Sequence, residues 1–276
     1  MHFGVQVRAT AETMSLGELG RRVEAAGFES LFVPEHTHIP VSVGQDHPEG
    51  SEWLDACKRF LDPFLALATI AAATTTLKLG TGVCLVAQHH PISLAKTVAT
   101  LDCLSGGRVL LGIGAGWDEP ELANHGVRPG SQWAVMREHL LAMRRIWTEV
   151  EASFAGAYVR FAPIWQWPKP VQTPLPVLVG GEGPRVLERV LEYGDGWLPN
   201  DHAEVGDRIA DLSRLAAERG RAPVPVTVYA VPPTAEDIAR LTAAGAARCV
   251  FNLPRGGADV TLPALERFAT LIKPWR

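Results

Sequence analysis

The chain has 276 residues, a net charge of −4, 47% hydrophobic residues and four cysteines, so it is long enough for one large domain or two small ones. Acidic and basic residues are interspersed, which argues against nucleic acid and against an anionic membrane surface as partners. The first residues, MHFGVQV, lack the features of a secretory signal. The sequence contains no uninterrupted run of about 18 apolar residues, the length that a membrane-spanning helix needs. The cysteines have no paired spacing, so we expect no metal site and a reducing, cytoplasmic location.

Strand-like and helical patterns alternate along most of the chain. The predicted strands are residues 3–7, 30–33, 77–86, 109–113, 176–179, 195–198, 224–230 and 248–252. The predicted helices are residues 15–27, 63–75, 91–104, 132–147, 184–193, 203–219, 235–244 and 262–272. Eight strands, most of them followed by a helix, indicate a parallel (β/α)₈ TIM barrel formed by a single domain, residues 1–276.

Two segments interrupt this alternation. Residues 40–62 are rich in Gly, Pro, His and acidic residues, and a loop of this length is typical of a lid or a binding loop. Trp53 in this loop either packs in a local cluster or closes over a bound ring. Residues 155–173 carry alternating apolar side chains between prolines, which predicts a short hairpin-like excursion between the fourth helix and the fifth strand.

Glycines cluster at the predicted C-terminal ends of two central strands. They are Gly80, Gly82, Gly112, Gly114 and Gly116. A glycine in an interior strand indicates a bulge or another body close against the backbone, and ligands of parallel α/β proteins bind at this end of the strands. A flat cofactor pressed against bare backbone would need this arrangement.

A glycine-rich turn, GGEGP at residues 180–184, joins the fifth strand to a predicted helix. Backbone N–H groups at the start of a helix form an anion site suited to a phosphate, and Arg185 could help to neutralise it. An ordinary β-to-α turn explains the same residues equally well.

Residues 89–117, HHPISLAKTVATLDCLSGGRVLLGIGAGW, resemble the signature of the luciferase-like monooxygenase superfamily. The similarity is to its branch of deazaflavin (coenzyme F420) dependent oxidoreductases in particular. Residues 168–172, PKPVQ, resemble the end of an excursion found in that family. The resemblance implies a TIM barrel, a flavin-like cofactor at its C-terminal mouth, a small-molecule substrate and a homodimer.

The resemblance also implies roles for individual residues. His36, after the second strand, matches a histidine near the hydride-transfer centre and is the expected catalytic residue. The bond between Gly82 and Val83 matches a non-proline cis peptide that supports the cofactor ring, and the turn at residues 180–184 would hold the cofactor phosphate. Trp53 and Trp117 are expected at the substrate. The expected cofactor-binding residues are Glu35, His36, Thr81, Gly82, Val83, Gly114, Gly116, Trp117, Gly180, Gly181, Glu182, Gly183 and Pro184.

The sequence departs from the alcohol and sugar-phosphate dehydrogenases of that branch at two positions. Pro40 stands where they carry a tryptophan, and Trp117 stands where they carry a glutamate. Trp117 would make a larger apolar wall, which favours a flat or apolar substrate. Glu121 is interpreted as a ligand of either substrate or backbone N–H groups.

We therefore expect an F420-dependent oxidoreductase that transfers a hydride between the cofactor and a small organic substrate. An FMN-dependent monooxygenase of the same fold is the first alternative. A non-catalytic flavin-binding barrel is the second, because a fold alone does not establish catalysis.

Overall fold

The computed structural model describes residues 1–43 and 51–276. The strands seen in these residues are β1 (His2–Gln6), β2 (Ser30–Val33), β3 (Lys78–Thr81), β4 (Val109–Ile113), β5 (Ala152–Ala155), β6 (Arg160–Ile164), β7 (Val177–Gly180), β8 (Gly196–Leu198), β9 (Thr227–Val228) and β10 (Arg248–Asn252). Eight of these described strands form one parallel sheet in the order β8-β7-β4-β3-β2-β1-β10-β9. Parallel bridges from Trp197 to Val226 and from Asn200 to Tyr229 join its two edges. The predicted TIM barrel is confirmed.

The helices of the described residues are α1 (Leu16–Ala25), α2 (Ser51–Cys57), α3 (Pro63–Ala71), α4 (Pro91–Ser105), α5 (Glu119–Asn124), α6 (Gln132–Thr148), α7 (Val186–Tyr193), α8 (Val205–Glu218), α9 (Ala235–Ala243) and α10 (Ala258–Ile272). None of them is both long enough and apolar enough to cross a membrane.

Two of these helices, α2 and α5, were not predicted. Helix α2 lies within the predicted loop 40–62, of which residues 44–50 lie outside the described residues. Helix α5 has only 6 residues, too few to display a helical period. It begins where the Asp118 carboxylate accepts a hydrogen bond from the N–H of Glu121.

Side chains of the barrel strands alternate between two separate apolar clusters. In β2, for example, Leu31 and Val33 face the surrounding helices, while Phe32 faces the barrel interior. The interior cluster consists of Phe32, Leu110, Leu178, Leu198, Tyr229 and Val250. Because both faces are buried, these strands appear in the sequence as short, continuously apolar runs.

The third strand is shorter than the predicted range of 77–86, because regular pairing ends at Thr81. The peptide bond between Gly82 and Val83 is cis, which confirms the expectation drawn from the resemblance. Residues Val86–Gln88 then form a turn of 3₁₀ helix. The apolar residues after Thr81 are thus buried as a connection and not as a strand.

The antiparallel hairpin of β5 and β6 confirms the predicted excursion between α6 and β7. Its tip is attached to α6 by Glu138, whose carboxylate accepts hydrogen bonds of 2.7–2.9 Å from the N–H groups of Ala157, Tyr158 and Val159. The tip therefore lies against the helix.

The segment after the hairpin is fastened to α4 by Asp102, a fully buried residue. Its Oδ2 accepts hydrogen bonds from the N–H groups of Val171 (2.8 Å) and Gln172 (3.0 Å). Its Oδ1 accepts from the side-chain Nε2 of Gln172 at 2.7 Å. This pairing explains in physical terms why the PKPVQ motif ends in glutamine.

Candidate active site

A cavity of about 840 Å³ opens at the C-terminal ends of the barrel strands, where ligands of this fold class bind. The predicted site residues in its wall are Glu35, His36, Trp53, Gly82, Val83, Gly114, Gly116, Trp117, Gly180, Gly181 and Glu182. Thr81, Gly183 and Pro184 lie outside the wall in the part of the chain that the structure describes. The volume suits a cofactor together with a small substrate.

At Gly82, Gly114 and Gly180 the space beside the backbone is taken by the protein's own side chains, which corrects the expectation of bare backbone at these positions. A Cβ atom at Gly82 would overlap the hydroxyl of Tyr229, and one at Gly114 would overlap Cγ2 of Val83. A Cβ at Gly180 would lie 3.0 Å from Cγ1 of Val83. The glycines therefore make room for Val83 and Tyr229, and Val83 itself forms this part of the cavity wall.

His36 is held at the cavity by a buried carboxylate. Its Nδ1 lies 2.8 Å from Oε2 of Glu121, and the two side chains are 7% and 1% exposed. Oε1 of Glu121 accepts hydrogen bonds from the N–H (2.9 Å) and the hydroxyl (3.1 Å) of Thr37. Burial alone would raise the pKa of Glu121, but the hydrogen bonds and charge of His36, together with Thr37, lower it to about 2.

These contacts fix the tautomer of His36. Because Glu121 is ionised at neutral pH, Nδ1 of His36 carries a hydrogen and donates a hydrogen bond to Oε2 of Glu121. The indole Nε1 of Trp117 donates to Nε2 of His36 at 3.3 Å, so Nε2 acts as an acceptor. His36 thus lies in the cavity wall with its ring oriented by the Glu121 carboxylate, and the one lone pair of Nε2 is engaged by Trp117, a residue of the same wall.

Aromatic rings surround His36 at the cavity mouth. The ring centroids of Trp53 and Trp117 lie 6.0 Å and 5.5 Å from that of His36, and 5.4 Å from each other. Phe60 is a third ring beside His36, at a centroid distance of 6.2 Å. Trp53 therefore packs in a local aromatic cluster and also lines the cavity, so both of its expected roles are compatible with its position.

Glu35 is buried and is already engaged by the protein. Its carboxylate accepts from the N–H of Leu85 at 2.6 Å and pairs with Nε2 of His89 at 2.8 Å. Burial opposes a charge on His89, but the hydrogen bond that His89 donates to Glu35 and the negative charge of that carboxylate outweigh it and raise the pKa of His89. Glu35 thus fixes the connection after β3, and its contact with a cofactor stays a prediction. Cys84 lies next to this pair, and burial raises the pKa of its thiol, which keeps it protonated.

In the turn after β7, the backbone carbonyl groups accept hydrogen bonds from side chains of the β8 and α8 segments. The carbonyl of Gly181 accepts from Nε1 of Trp197 at 3.0 Å, and Arg208 donates to the carbonyls of Glu182 and Gly183. In a trans peptide the C=O and N–H groups point in opposite directions. The N–H groups of Glu182 and Gly183 therefore point away from Trp197 and Arg208. Helix α7 begins at Val186, two residues later than predicted.

Two buried polar atoms in the cavity wall have no partner among the described residues. They are the hydroxyl of Tyr229 and Oδ1 of Asn252. Buried polar groups are normally paired, so such atoms point to a ligand or to ordered water. Arg8 lies in the same wall and provides a positive charge.

Sequence reasoning missed about half of the wall residues, and Arg8, Phe60, Trp133, Tyr229 and Asn252 are among them. Tyr229 follows β9 directly and Asn252 ends β10, so their position at a strand's C-terminal end was a usable signal. Phe60 and Trp133 come from segments between strands, and nothing in the sequence pattern marks them.

Comparison with known proteins gives a consistent picture. A family model described as luciferase-like monooxygenase matches residues 1–260. An uncharacterized protein of Mycobacterium tuberculosis is 38% identical over 276 residues, which cover 98% of each chain. The F420-dependent hydroxymycolic acid dehydrogenase of the same organism is 30% identical over 201 residues, or 70% of this chain and 49% of that protein. The crystal structure of the monooxygenase RslO1 from Streptomyces bottropensis has a TM-score of 0.77 at 20% identity, covering 100% and 99% of the two chains.

Proposed function

Since the chain belongs to the luciferase-like monooxygenase family, we propose that it is an F420-dependent oxidoreductase acting on a small, flat or apolar organic substrate. The observation that carries the proposal is one cavity that combines a large volume, the Val83 wall and the oriented acceptor Nε2 of His36. The F420-dependent relative at 30% identity supports the choice of cofactor.

The residues present fit a flat heterocycle with a charged tail. Val83, on the glycine backbone of Gly114 and Gly180, would support the ring. The unpartnered atoms of Tyr229 and Asn252 would meet polar groups on the ring. The N–H groups of Glu182 and Gly183 would hold the phosphate, because they point away from the side chains that occupy the carbonyls of this turn.

When bound, F420 would supply or accept a hydride on a ring carbon. The protein's part is proton transfer, orientation and exclusion of water. Once an alcohol-like group of the substrate replaces the indole N–H of Trp117 at Nε2, His36 takes a proton from that group, or returns one to it in the reverse direction. The negative charge of Glu121 stabilises the protonated ring. Trp53 and Trp117 would shield the reacting groups from water.

The wall also favours a substrate class. Its carboxylates are occupied, Glu35 by Leu85 and His89, and Glu182 by the N–H and side-chain amide of Asn200. Aromatic rings dominate the mouth, so a neutral, flat or apolar molecule is bound more favourably there than a sugar phosphate. This agrees with Pro40 and Trp117, the two departures from the sugar-phosphate enzymes.

Titration of the purified protein with F420 and with FMN, followed by cofactor fluorescence, tests the proposal. We expect F420 to bind at least about tenfold more tightly than FMN, which corresponds to about 1.4 kcal/mol. Tight FMN binding without F420 binding would instead establish the FMN-dependent monooxygenase, the alternative that the family's name favours.

Turnover separates the enzyme from a non-catalytic barrel. Reduced F420 should be oxidised in the presence of at least one member of a panel of carbonyl and enone substrates. F420 binding without turnover of any panel member would favour the flavin-binding barrel.

A further inference from the structure

A second cavity, of about 610 Å³, lies outside the barrel between the hairpin tip and the starts of helices α4 and α6. The described part of its wall contains none of the residues assigned above to cofactor or substrate. It is large enough for a metabolite-sized ligand.

Two helices begin at this cavity. The wall includes His90 and Pro91 at the start of α4, and Ser131 immediately before α6. Neither His90 nor Ser131 caps its helix with a side-chain hydrogen bond. Pro91 has no N–H, so the first-turn N–H groups left uncapped are those of residues 92–93 in α4 and 132–134 in α6, and the positive ends of two helix dipoles border one space.

Gln88, in the wall of the same cavity, provides an independent indication of a ligand. The residue is only 9% exposed, and neither its Oε1 nor its Nε2 has a partner among the described residues. A buried amide without hydrogen bonds is unfavourable unless a ligand or water completes it. His139 lies in the same wall. Its Nδ1 donates a hydrogen bond to the carbonyl of Val86 at 3.3 Å, so its Nε2 points away from that carbonyl.

The charged groups of the wall are positive. Arg128 and Arg160 line the cavity, and neither forms an ion pair within the described residues. The neighbouring carboxylate of Glu138 is already occupied by three N–H groups of the hairpin tip. An anion entering the cavity would therefore meet two unpaired guanidinium groups. The carboxylate of Glu138 on α6 would repel it less, because three hydrogen bonds already stabilise that charge.

We propose that this cavity is a binding site for a small organic anion bearing a carboxylate or phosphate group, separate from the cofactor cavity. The anion's oxygens would accept from the first-turn N–H groups of α4 and α6 and from the Gln88 amide, while Arg128 and Arg160 balance its charge. Nothing in the proposed hydride-transfer function requires this site.

Isothermal titration of the full chain with inorganic phosphate, and separately with succinate, tests the site. We expect saturable binding of at least one probe, with affinity reduced about tenfold or more in a double variant Arg128→Gln/Arg160→Gln, because charge-assisted hydrogen bonds are lost. Both side chains are exposed, so the variant should fold, which circular dichroism checks. The matched control Arg267→Gln, on an exposed face of α10, should bind like the wild type.

The comparison of phosphate with succinate identifies the anion class. A Gln88→Leu variant, which removes the buried amide, should also weaken binding. Failure of both probes to bind, or equal affinity in the double variant and the control, would overturn the proposal. Competition of either probe with F420 would also overturn it, because the anion would then occupy the cofactor cavity.

Discussion

His36 carries the proposed proton transfer because its Nε2 faces the cavity while Glu121 holds the opposite side of the ring. Replacing His36 with Asn should lower kcat/KM for a panel substrate by about 10²–10⁴-fold, the range typical of a lost general acid or base. The Kd for F420 should change little. His38→Asn is the matched control, since His38 bonds Thr37 and Asn124 outside the cavity wall. Equal losses in the two variants would contradict the assignment.

Glu121 is expected to make stability depend on pH. Burial opposes its charge, but His36 and Thr37 lower its folded-state pKa from 4.5 to about 2. Because the pKa of Glu121 is lower in the folded than in the unfolded state, its ionisation stabilises the fold at any pH above about 4.5. This contribution is lost as the pH falls from about 4.5 towards 2. Glu121→Gln should therefore reduce the free energy of unfolding by about 1–3 kcal/mol near neutral pH. Urea denaturation should show this difference narrowing in acid; a difference independent of pH would exclude the mechanism.

Gly114, directly after β4, and Val83, after β3, pack against each other. Gly114→Ala would force a Cβ into Cγ2 of Val83, and we expect a loss of about 1–3 kcal/mol from overpacking. Adding Val83→Ala removes the obstructing methyl and should restore part of that loss, since Cβ of Val83 is 3.4 Å away. Chemical denaturation of both single variants and the double variant measures the coupling. Additive effects would show that the two positions do not share this space.

The buried Asp102 joins helix α4 to the segment after the hairpin. Both carboxylate oxygens of Asp102 accept hydrogen bonds, from the N–H groups of Val171 and Gln172 and from the side-chain amide of Gln172. Asp102→Asn turns one of these acceptors into a donor in either orientation of the amide, so at least one buried donor would lose its acceptor. We expect a loss of about 1–3 kcal/mol in the free energy of unfolding. Asp211→Asn on α8 removes an exposed ion pair and should cost less than about 1 kcal/mol. Similar losses in the two variants would show that Asp102 does not fasten this segment.

The order of elements follows from the sequence because buried parallel strands and amphipathic helices leave different apolar periods. The end of β3 does not follow from the apolar pattern. Cys84 and Val86 lie in the connection after β3, but they are as deeply buried as the strand residues. Helix α5 was missed because its length gives no period. Periodicity reports burial, and it identifies a backbone conformation only when the segment is long enough.

The candidate site was predictable in location but not in its packing. His36 and the turn at residues 180–184 were expected from their position at strand ends and from the resemblance. The glycines at positions 82 and 114 indicated only that another group, either a ligand or a side chain, lies close to the backbone. Whether this is a ligand or the side chains of Tyr229 and Val83 depends on contacts between distant segments, which one sequence does not encode in any local pattern.

Barrel closure brings the ends of all eight strands of the described parallel sheet around one cavity. The hairpin and the starts of α4 and α6 build a second cavity outside the barrel. The two spaces differ in chemistry: the first has a cluster of aromatic rings around His36 at its mouth, and the second has two unpaired guanidinium groups beside the starts of two helices. The two proposals, a flat heterocycle and a small anion, therefore concern separate places in the chain.

A crystal structure of the protein with bound F420 tests the central claim most directly. We expect the ring against Val83 with Nε2 of His36 at its exposed side, the phosphate at the N–H groups of Glu182 and Gly183, and Tyr229 or Asn252 bonded to the ring's polar edge. A ring bound elsewhere, or a cavity that F420 leaves empty at saturating concentration, would contradict the proposed function.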